Sequence, residues 1–399
     1  MSPSTSNGNS REPRFAVVGN PANRRVALFR DAVAAAGLPA ARVVPWLEVL
    51  GGRASFRPGE TVRIDSPGED PEVERLLRGV GDATRVEGSA RWYERFTEAV
   101  REVGRAAAGC ALLDDPEELA VLFDKRLCHA VLHDAGVPVP PSPTSGPTGP
   151  VVRGWPDVRE LLRAHRMPRA FVKLAHGSSA SGVLAVETAG PGRVRATTSV
   201  ERDPQGRLFN SLRVRRCTTE GEVAAIVDAL APDGLHVERW LPKAAQRGRA
   251  ADLRVVVVGG RATHAVVRTS RSPMTNLHLG GTRGDLDGAR AAMAAEAGTR
   301  PWRCASGRPR ASPALSVWAS ICCPPSAGAA SPSARSTRSA ICCRASAACP
   351  AAAPRVWTEA ARPRQLHLRL APGDLRWFPA HARRARSPPP AVRRALRGQ

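Results

Sequence analysis

Lys173 ends the apolar run Ala170-Phe171-Val172, and three residues later the chain enters His176-Gly177-Ser178-Ser179-Ala180-Ser181-Gly182. Small residues let backbone N–H groups approach an anion closely, and hydroxyls add donors. A lysine at a strand end can neutralise a phosphate. Taken alone, the same loop reads equally as a flexible hairpin connection. No G-x-x-x-x-G-K-[ST] occurs, so a Walker A loop is excluded. Other polar residues flank this segment in a definite order. Lys125 precedes it, Glu238 follows in HVERW, and Asp252 and Arg254 open a predicted hairpin that Arg268 closes. Asn276 then leads into Gly280-Gly281. Each residue singly reads as a solvated charge or turn former, and the ordered set is the signal.

The elements that must position these residues follow from periodicity. FAVVGNP (15–21) predicts a buried strand ending in a turn, and ARVVPWLEVL (41–50) a second strand. Between them, 23–37 places Val26, Phe29, Val33 and Ala34 on one helical face, with Gly37 fit to end it. This βαβ pattern implies a small α/β domain with a parallel sheet. There is no G-x-G-x-x-G, so no dinucleotide site is assigned. Residues 114–136 are the clearest helical region, with Asp115 as cap, Pro116 in the first turn, and Lys125 about two turns before its end. A stiff Pro- and Gly-rich connector (137–150) follows. Residues 168–186 predict strand, loop, strand; 234–244 a strand and a Pro-marked turn; 252–270 two strands joined at Gly259-Gly260. The expected organisation is a flexible tail (1–13), an α/β domain (14–113), a second domain (114–299) and a compositionally distinct tail (300–399).

The net charge of +23 would ordinarily suggest a nucleic-acid or membrane partner. Its distribution argues otherwise: residues 301–399 contribute +15 from 17 Arg, no Lys and 2 acidic residues, while the first 300 mix both signs. Six of the nine cysteines lie between Cys304 and Cys349, and Cys110, Cys128 and Cys217 read as buried thiols. The polar N-terminus has no apolar core of a signal peptide, and no window is apolar enough to span a membrane. A cytoplasmic protein with reduced thiols is expected.

The ordered segments FDKRLCHAVLHDAGVPVP, FVKLAHGSSASGV, HVERWLPKA, DLRVVVVGG, VVR and TNLHLGG resemble the ATP-grasp superfamily. The similarity is greatest to its ribosomal-protein glutamate ligase and lysine-biosynthesis ligase branch, and covers roughly residues 118–284. It implies an α/β preATP-grasp domain followed by a two-lobed ATP-grasp fold. It also implies that Lys125 and Lys173 contact ATP phosphates beneath a lid of Gly177, Ser178 and Ser179. Glu238 would sit at the adenine or ribose end, with Trp240 and Leu241 in the hinge against the base. Arg268 and Asn276 would face the γ-phosphate and an acyl phosphate, with Asp252 and Arg254 supporting that wall. The implied reaction phosphorylates a carboxylate and transfers the acyl group to an amine; such transfer needs positioning and charge neutralisation. The implied partners are ATP and a carboxylate–amine substrate pair, with no membrane.

One part of that pattern is missing. The family holds Mg²⁺ with an Asp in a strand and then E-x-N, yet after Asp287 this chain has Glu296 and no further acidic residue until Glu359. From about residue 300 the composition turns to Arg, Ala, Pro, Ser and Cys, as in a disordered basic arm or in GC-rich coding DNA read out of frame. With Ser320 as TCG, Ile321 as ATC and each Cys as TGC, shifting the frame by one base over Val317–Pro324 can give Val-Gly-Val-Asp-Leu-Leu-Pro. The same shift over 334–344 can give Glu-Val-Asn-Ala-Phe-Gly-Asp-Leu-Leu-Pro, where Glu requires Arg335 to be AGG and Asn requires Ser336 to be TCA. The doublets Cys322-Cys323 and Cys342-Cys343 then become shadows of Leu-Leu. A zinc site built from them fits poorly, because adjacent cysteines reach one tetrahedral metal badly. The chain is therefore read as an ATP-grasp ligase with its magnesium ligands absent from this reading frame, and weak or no turnover. The alternative is a non-catalytic nucleotide- or nucleic-acid-binding protein whose basic tail is genuine.

Overall fold

The structure is a computed structural model that describes residues 12–299, apart from 83, 191, 259 and 260. It is a mixed α/β fold with three sheets. The N-terminal part runs β1 (Arg14–Val18), α1 (Arg24–Ala35), β2 (Arg42–Val44), α2 (Trp46–Leu50), β3 (Glu60–Ile64), α3 (Pro71–Arg78), α4 (Ser89–Ala106) and β4 (Ala111–Leu112). Its strands form a parallel sheet in the order β2-β1-β3-β4, as the βαβ pattern predicts. Ala16, Val17 and Val18 are all buried, because a parallel sheet is covered on both faces. The expected strand over 41–50 is a correction: it stops at Val44. Pro45 lacks the N–H that a ladder needs, so the chain turns into α2 and sends Trp46 into the core, its Nε1 donating to Asp65 O. Trp92, Phe96, Val100 and Val103 form the buried stripe of α4 that closes this core.

The region 114–136 holds two helices, α5 (Pro116–Leu122) and α6 (Lys125–Asp134). Asp115 caps the first as expected, and Asp124 caps the second by accepting from Arg126 N. Lys125 is thus the first residue of α6, a full helix before the connector and not two turns. The connector covers the edge of a later strand: Arg239 N donates to Pro141 O, and Val237 N donates to Thr144 Oγ1.

Next come α7 (Trp155–Ala164), β5 (Arg169–Leu174), β6 (Val183–Thr188), β7 (Val194–Arg202), β8 (Leu208–Cys217), α8 (Glu220–Leu230) and β9 (Leu235–Arg239). The strands form an antiparallel sheet in the order β8-β7-β6-β5-β9. Alternation sorts its residues cleanly. Ala170, Val172, Leu174, Leu184, Val186, Ala196 and Val237 pack with Val158 and Leu162 of α7 and Val223 and Ile226 of α8. The register puts Arg169, Phe171 and Lys173 on the other face, with Ala185, Glu187, Arg195, Thr197, Arg216, His236 and Glu238. This open face is where the predicted site lies.

The third sheet, β10-β11-β12-β13, joins β10 (Ala244–Gln246), β11 (Arg249–Val258), β12 (Arg261–Ser270) and β13 (Thr282–Arg283), and α9 (Leu286–Thr299) packs on it. The predicted pairing of 252–258 with 261–270 is present, with Asp252 opposite Arg268. Ala251, Leu253, Val255 and Val267 face the apolar cluster with Ala289, which leaves Asp252, Arg254 and Arg268 on the opposite side. Among the described residues no helix is long and apolar enough to cross a membrane.

One contact locks the parallel sheet's layer to the five-stranded sheet. The N-cap of α4 is Gly88, which has no side chain to accept from the first turn. Asp233, at the end of a short turn after α8, does so instead: its Oδ2 accepts from Gly88 N at 2.8 Å and its Oδ1 from Ala90 N at 2.9 Å. Asp233→Ala is expected to lower the unfolding free energy by about 1–2 kcal/mol, with Asp233→Asn retaining much of it, as read by urea titration.

Candidate functional site

Lys173 and Glu238 sit on neighbouring strands of the open face, and their side chains form an ion pair. His236 Nε2 lies 3.3 Å from the other carboxylate oxygen. Burial alone would raise the Glu238 carboxyl; Lys173 and His236 more than offset it and hold it well below the usual carboxylate range. Burial pushes His236 down, with Glu238 opposing. One strand step toward the hinge, Phe171 packs on Trp240 with ring centroids 5.4 Å apart. Trp240 N donates to Arg169 O, which fixes the chain where Leu241 leaves the strand.

Lys125 reaches the same end of β5 from α6. Its Nζ donates to the carbonyls of Leu174, at 2.9 Å, and Gly177, so this ammonium ties the base of the loop 176–182 to α6. The loop itself is strained. Ser179 and Ala180 have φ of 52° and 62°, in the left-handed region that side chains disfavour. Gly182 follows at φ 63°, and a Cβ there would lie 2.6 Å from Leu174 Cδ1. The loop is held down from two sides: Ser199 Oγ donates to Ala180 O, and His278 Nε2 lies 2.9 Å from Ser179 O.

The third sheet supplies the facing wall. Arg268 makes a two-pronged contact with Asp252, at 2.8 and 2.9 Å. Lys243 Nζ lies 3.3 Å from the same carboxylate and donates to Thr275 Oγ1 at 2.9 Å; Thr275 in turn donates to Asp252. Burial would raise the Asp252 carboxyl, but Arg268, Lys243 and Thr275 together hold it below its ordinary value. Burial pushes the Lys243 ammonium down, against the pull of Asp252. Arg254 is two residues along the same face of β11. Asn276 begins a short turn, and its carbonyl accepts from Leu279 N and Gly281 N. Met274 and Leu279 pack with Val183, Phe171, Ala180 and Val214, so the wall meets the open face beside the loop.

Direct contacts thus join Lys173 to Glu238 on the open face, Lys125 to the base of the loop that holds Gly177, Ser178 and Ser179, and the turn after Asn276 to the same loop through His278, while Trp240 packs on Phe171 and Arg268 stays paired with Asp252 on the third sheet. Sequence reasoning passed over Lys243, Thr275, His236 and His278. A signal for the first was available. The chain has 59 Lys plus Arg, and only three are lysines: Lys125, Lys173 and Lys243. Lys173 lies on the open face, Lys243 on the facing wall and Lys125 under the loop 176–182, while the other 56 of the 59 are arginine. Lysine offers a compact, strongly hydrated ammonium where arginine offers a planar fork. Of the scattered cysteines, Cys217 is buried as expected, whereas Cys110 and Cys128 are only half-buried. The cysteine doublets lie outside the described residues.

His176, at the start of the loop, stacks on Tyr93 of α4 with centroids 4.0 Å apart. Burial pushes its imidazole down to about 4, with Asp124 opposing. The unfolded chain therefore binds the extra proton first, and stability falls as pH drops from about 6.5 toward 4, by up to about 3 kcal/mol. His176→Phe, which keeps the stack, is expected to flatten that part of the melting temperature–pH curve.

Magnesium does not fit the described residues. Glu187, Glu238 and Asp252 on these faces are each already engaged by two basic side chains. Among the described residues no group of three or more His, Cys, Asp or Glu side chains is placed to hold a metal.

No protein-family model matches the chain, and no curated protein does. Similar solved structures include the ATP-grasp ligase PsnB complexed with a phosphomimetic variant of minimal precursor, Mg and ADP. It is 17% identical, with 64% of this chain and 72% of that one covered, at a TM-score of 0.36. A RimK domain protein ATP-grasp from Sphaerobacter thermophilus is 16% identical over 71% of this chain and 81% of its own, at 0.35. Macrocyclase MdnC from Microcystis aeruginosa, bound with precursor peptide MdnA, is 12% identical over 71% and 81%, at 0.36. At these identities and TM-scores no family follows for this chain, and a functional reading has to come from the side chains.

Proposed function

We propose that the chain is an ATP-grasp-like protein built for carboxylate–amine ligation through an acyl phosphate. The observation that supports this reading is the Lys173–Glu238 pair on an open sheet face, beside a Gly- and Ser-rich loop that Lys125 ties to α6 and that His278, in the turn after Asn276, holds from the third sheet. Lys173 and Lys125 would hold the phosphates, with residues 177–179 as cover. Glu238 keeps the Lys173 ammonium in place until phosphate oxygens compete for it. Trp240 and Leu241 form the hinge against the base. A carboxylate oxygen attacks the γ-phosphorus and ADP leaves. The amine nitrogen then attacks the acyl carbon, loses a proton, and inorganic phosphate leaves. Arg268 and Asn276 face the charge that develops in both steps.

Because the described residues offer no fit for magnesium, the chain as written is read as a nucleotide binder with weak or no turnover. The region from 300 onward is read as out of frame, so that the restored frame supplies the acidic ligands. Adenine nucleotides are expected to raise the melting temperature of the chain. Unchanged melting in a frame-restored version, with magnesium present, would sink the reading. The nucleotide sequence over codons 295–345 tests the frame directly: a restored frame without Asp and E-x-N ends that part of it. Brisk ADP release by the present chain would contradict the expected inactivity.

A further inference from the structure

Behind the Lys173–Glu238 pair, the connector 137–150 holds two histidines that the ligase reading leaves unused. His236 of β9 is 1% exposed, and its ring centroid lies 5.6 Å from that of His129 on α6. All four ring nitrogens have polar neighbours. His129 Nε2 lies 2.6 Å from Pro140 O, and its Nδ1 2.7 Å from Ser145 Oγ. A carbonyl only accepts, so His129 carries a proton on Nε2. His236 Nε2 lies 3.3 Å from a Glu238 oxygen, and its Nδ1 3.3 Å from Thr144 Oγ1. Thr144 is fully buried and already accepts from Val237 N at 2.8 Å.

These contacts determine where the His236 proton sits. A carboxylate only accepts, so the nitrogen facing Glu238 has to be the donor, and Nδ1 is left bare. A bare nitrogen in a buried ring needs a donor of its own. The Thr144 hydroxyl is in place to supply one. Its oxygen serves Val237 N, and Val237 O already accepts from Ser142 Oγ at 2.7 Å, which leaves the Thr144 proton for the ring. The charged groups around His236 are Glu238 on its own strand and Lys173 on β5, with His129 the titratable neighbour on α6. We propose that His236 is a positioning residue for the Lys173–Glu238 pair, fixed by the Thr144 hydroxyl as the tautomer that donates from Nε2 to Glu238. One carboxylate oxygen then stays on His236 while the other holds Lys173. Glu238 thereby keeps a partner when phosphate oxygens draw the ammonium away. The effect on nucleotide rests on the ligase reading; the tautomer does not.

Two measurements test this, both on the full chain. Long-range proton–nitrogen correlation spectra of histidine-labelled protein separate protonated from bare ring nitrogens, and His236→Leu assigns the His236 signals among the nine histidines. A proton on Nε2 and a bare Nδ1 are expected from about pH 6 to about pH 8, unchanged in Thr144→Ser and replaced by a mixture in Thr144→Val. A proton on Nδ1, a ring charged over this range, or a Thr144→Val spectrum identical to the parent's overturns the proposal; the first two are read on the parent, whether or not Thr144→Val folds. The second measurement is ADP affinity against pH. In His236→Leu, a nucleotide that draws Lys173 away leaves Glu238 buried and unpartnered, so its carboxyl takes up a proton more readily in the complex than in the free chain. The variant is therefore expected to bind ADP about tenfold more weakly at about pH 8, with the deficit shrinking toward about pH 5. His236→Gln, which still has a donor for Glu238, recovers most of the affinity. A purely structural role would weaken binding equally at every pH, and that result overturns the proposal. If the parent shows no nucleotide-induced rise in melting temperature, the ligase reading fails and the tautomer spectra alone decide this one.

Discussion

Asp252→Ala is expected to destabilise the chain by about 3–5 kcal/mol, more than any other single change in the candidate site. The side chain is nearly inaccessible, and it holds Arg268, Lys243 and Thr275 together. Removing it leaves two cations side by side with no counterion and a hydroxyl with no acceptor. Burial already pushes the Lys243 ammonium down, so in the variant it should shed its proton closer to neutrality. The measurement is urea unfolding at pH 7 and at pH 9. A loss at pH 7 that shrinks at pH 9 identifies cation repulsion. An equal loss at both values assigns the effect to packing. Asp252→Asn keeps the shape and an acceptor, so it should fall between parent and alanine.

Lys173→Met is expected to abolish the nucleotide-induced rise in melting temperature, a loss of at least about 100-fold in affinity, since a charge-assisted contact to phosphate disappears. It should also alter the pH dependence, and the sign can be worked out. In the parent, Glu238 is held below its unfolded value, so it contributes stability above about pH 4.3 that is lost on acidification. Without Lys173 the burial that opposes ionisation prevails over His236 alone. Glu238 then costs stability at neutral pH, and the variant gains relative to the parent as pH falls toward 5. Lys173→Met/Glu238→Gln should recover most of the stability and none of the nucleotide response. Recovery of both would remove Lys173 from the phosphate site.

Much of this arrangement was legible from local chemistry. The strand–loop–strand around Lys173, the hairpin over 252–270 and the βαβ start all follow from alternation, glycine placement and helical spacing, but Asp252 meets Arg268 only because the register shifts by one between Val256 and Val257. The misreadings have local causes as well. Val43-Val44 continued visually into Trp46-Leu47, but Pro45 removes a ladder donor and starts a helix. Asp115 and Asp124 are both N-caps, and treating 114–136 as one region overlooked the second, which placed Lys125 inside a helix and not at its first residue. The cluster on Asp252 was only half visible. Lys243 and Thr275 approach it from segments 9 and 23 residues away, and nothing in their immediate neighbours announces a shared carboxylate. Asp233 capping a helix 143 residues upstream is likewise a product of tertiary packing alone.

The scarcity of lysine has a practical corollary. A protease that cuts only after lysine finds three scissile bonds in the whole chain, each at a segment that holds the candidate site, and amine-directed acylating reagents find little else besides the α-amino group. Digestion kinetics therefore report on the surroundings of Lys125, Lys173 and Lys243, and labelling on these and the α-amino group.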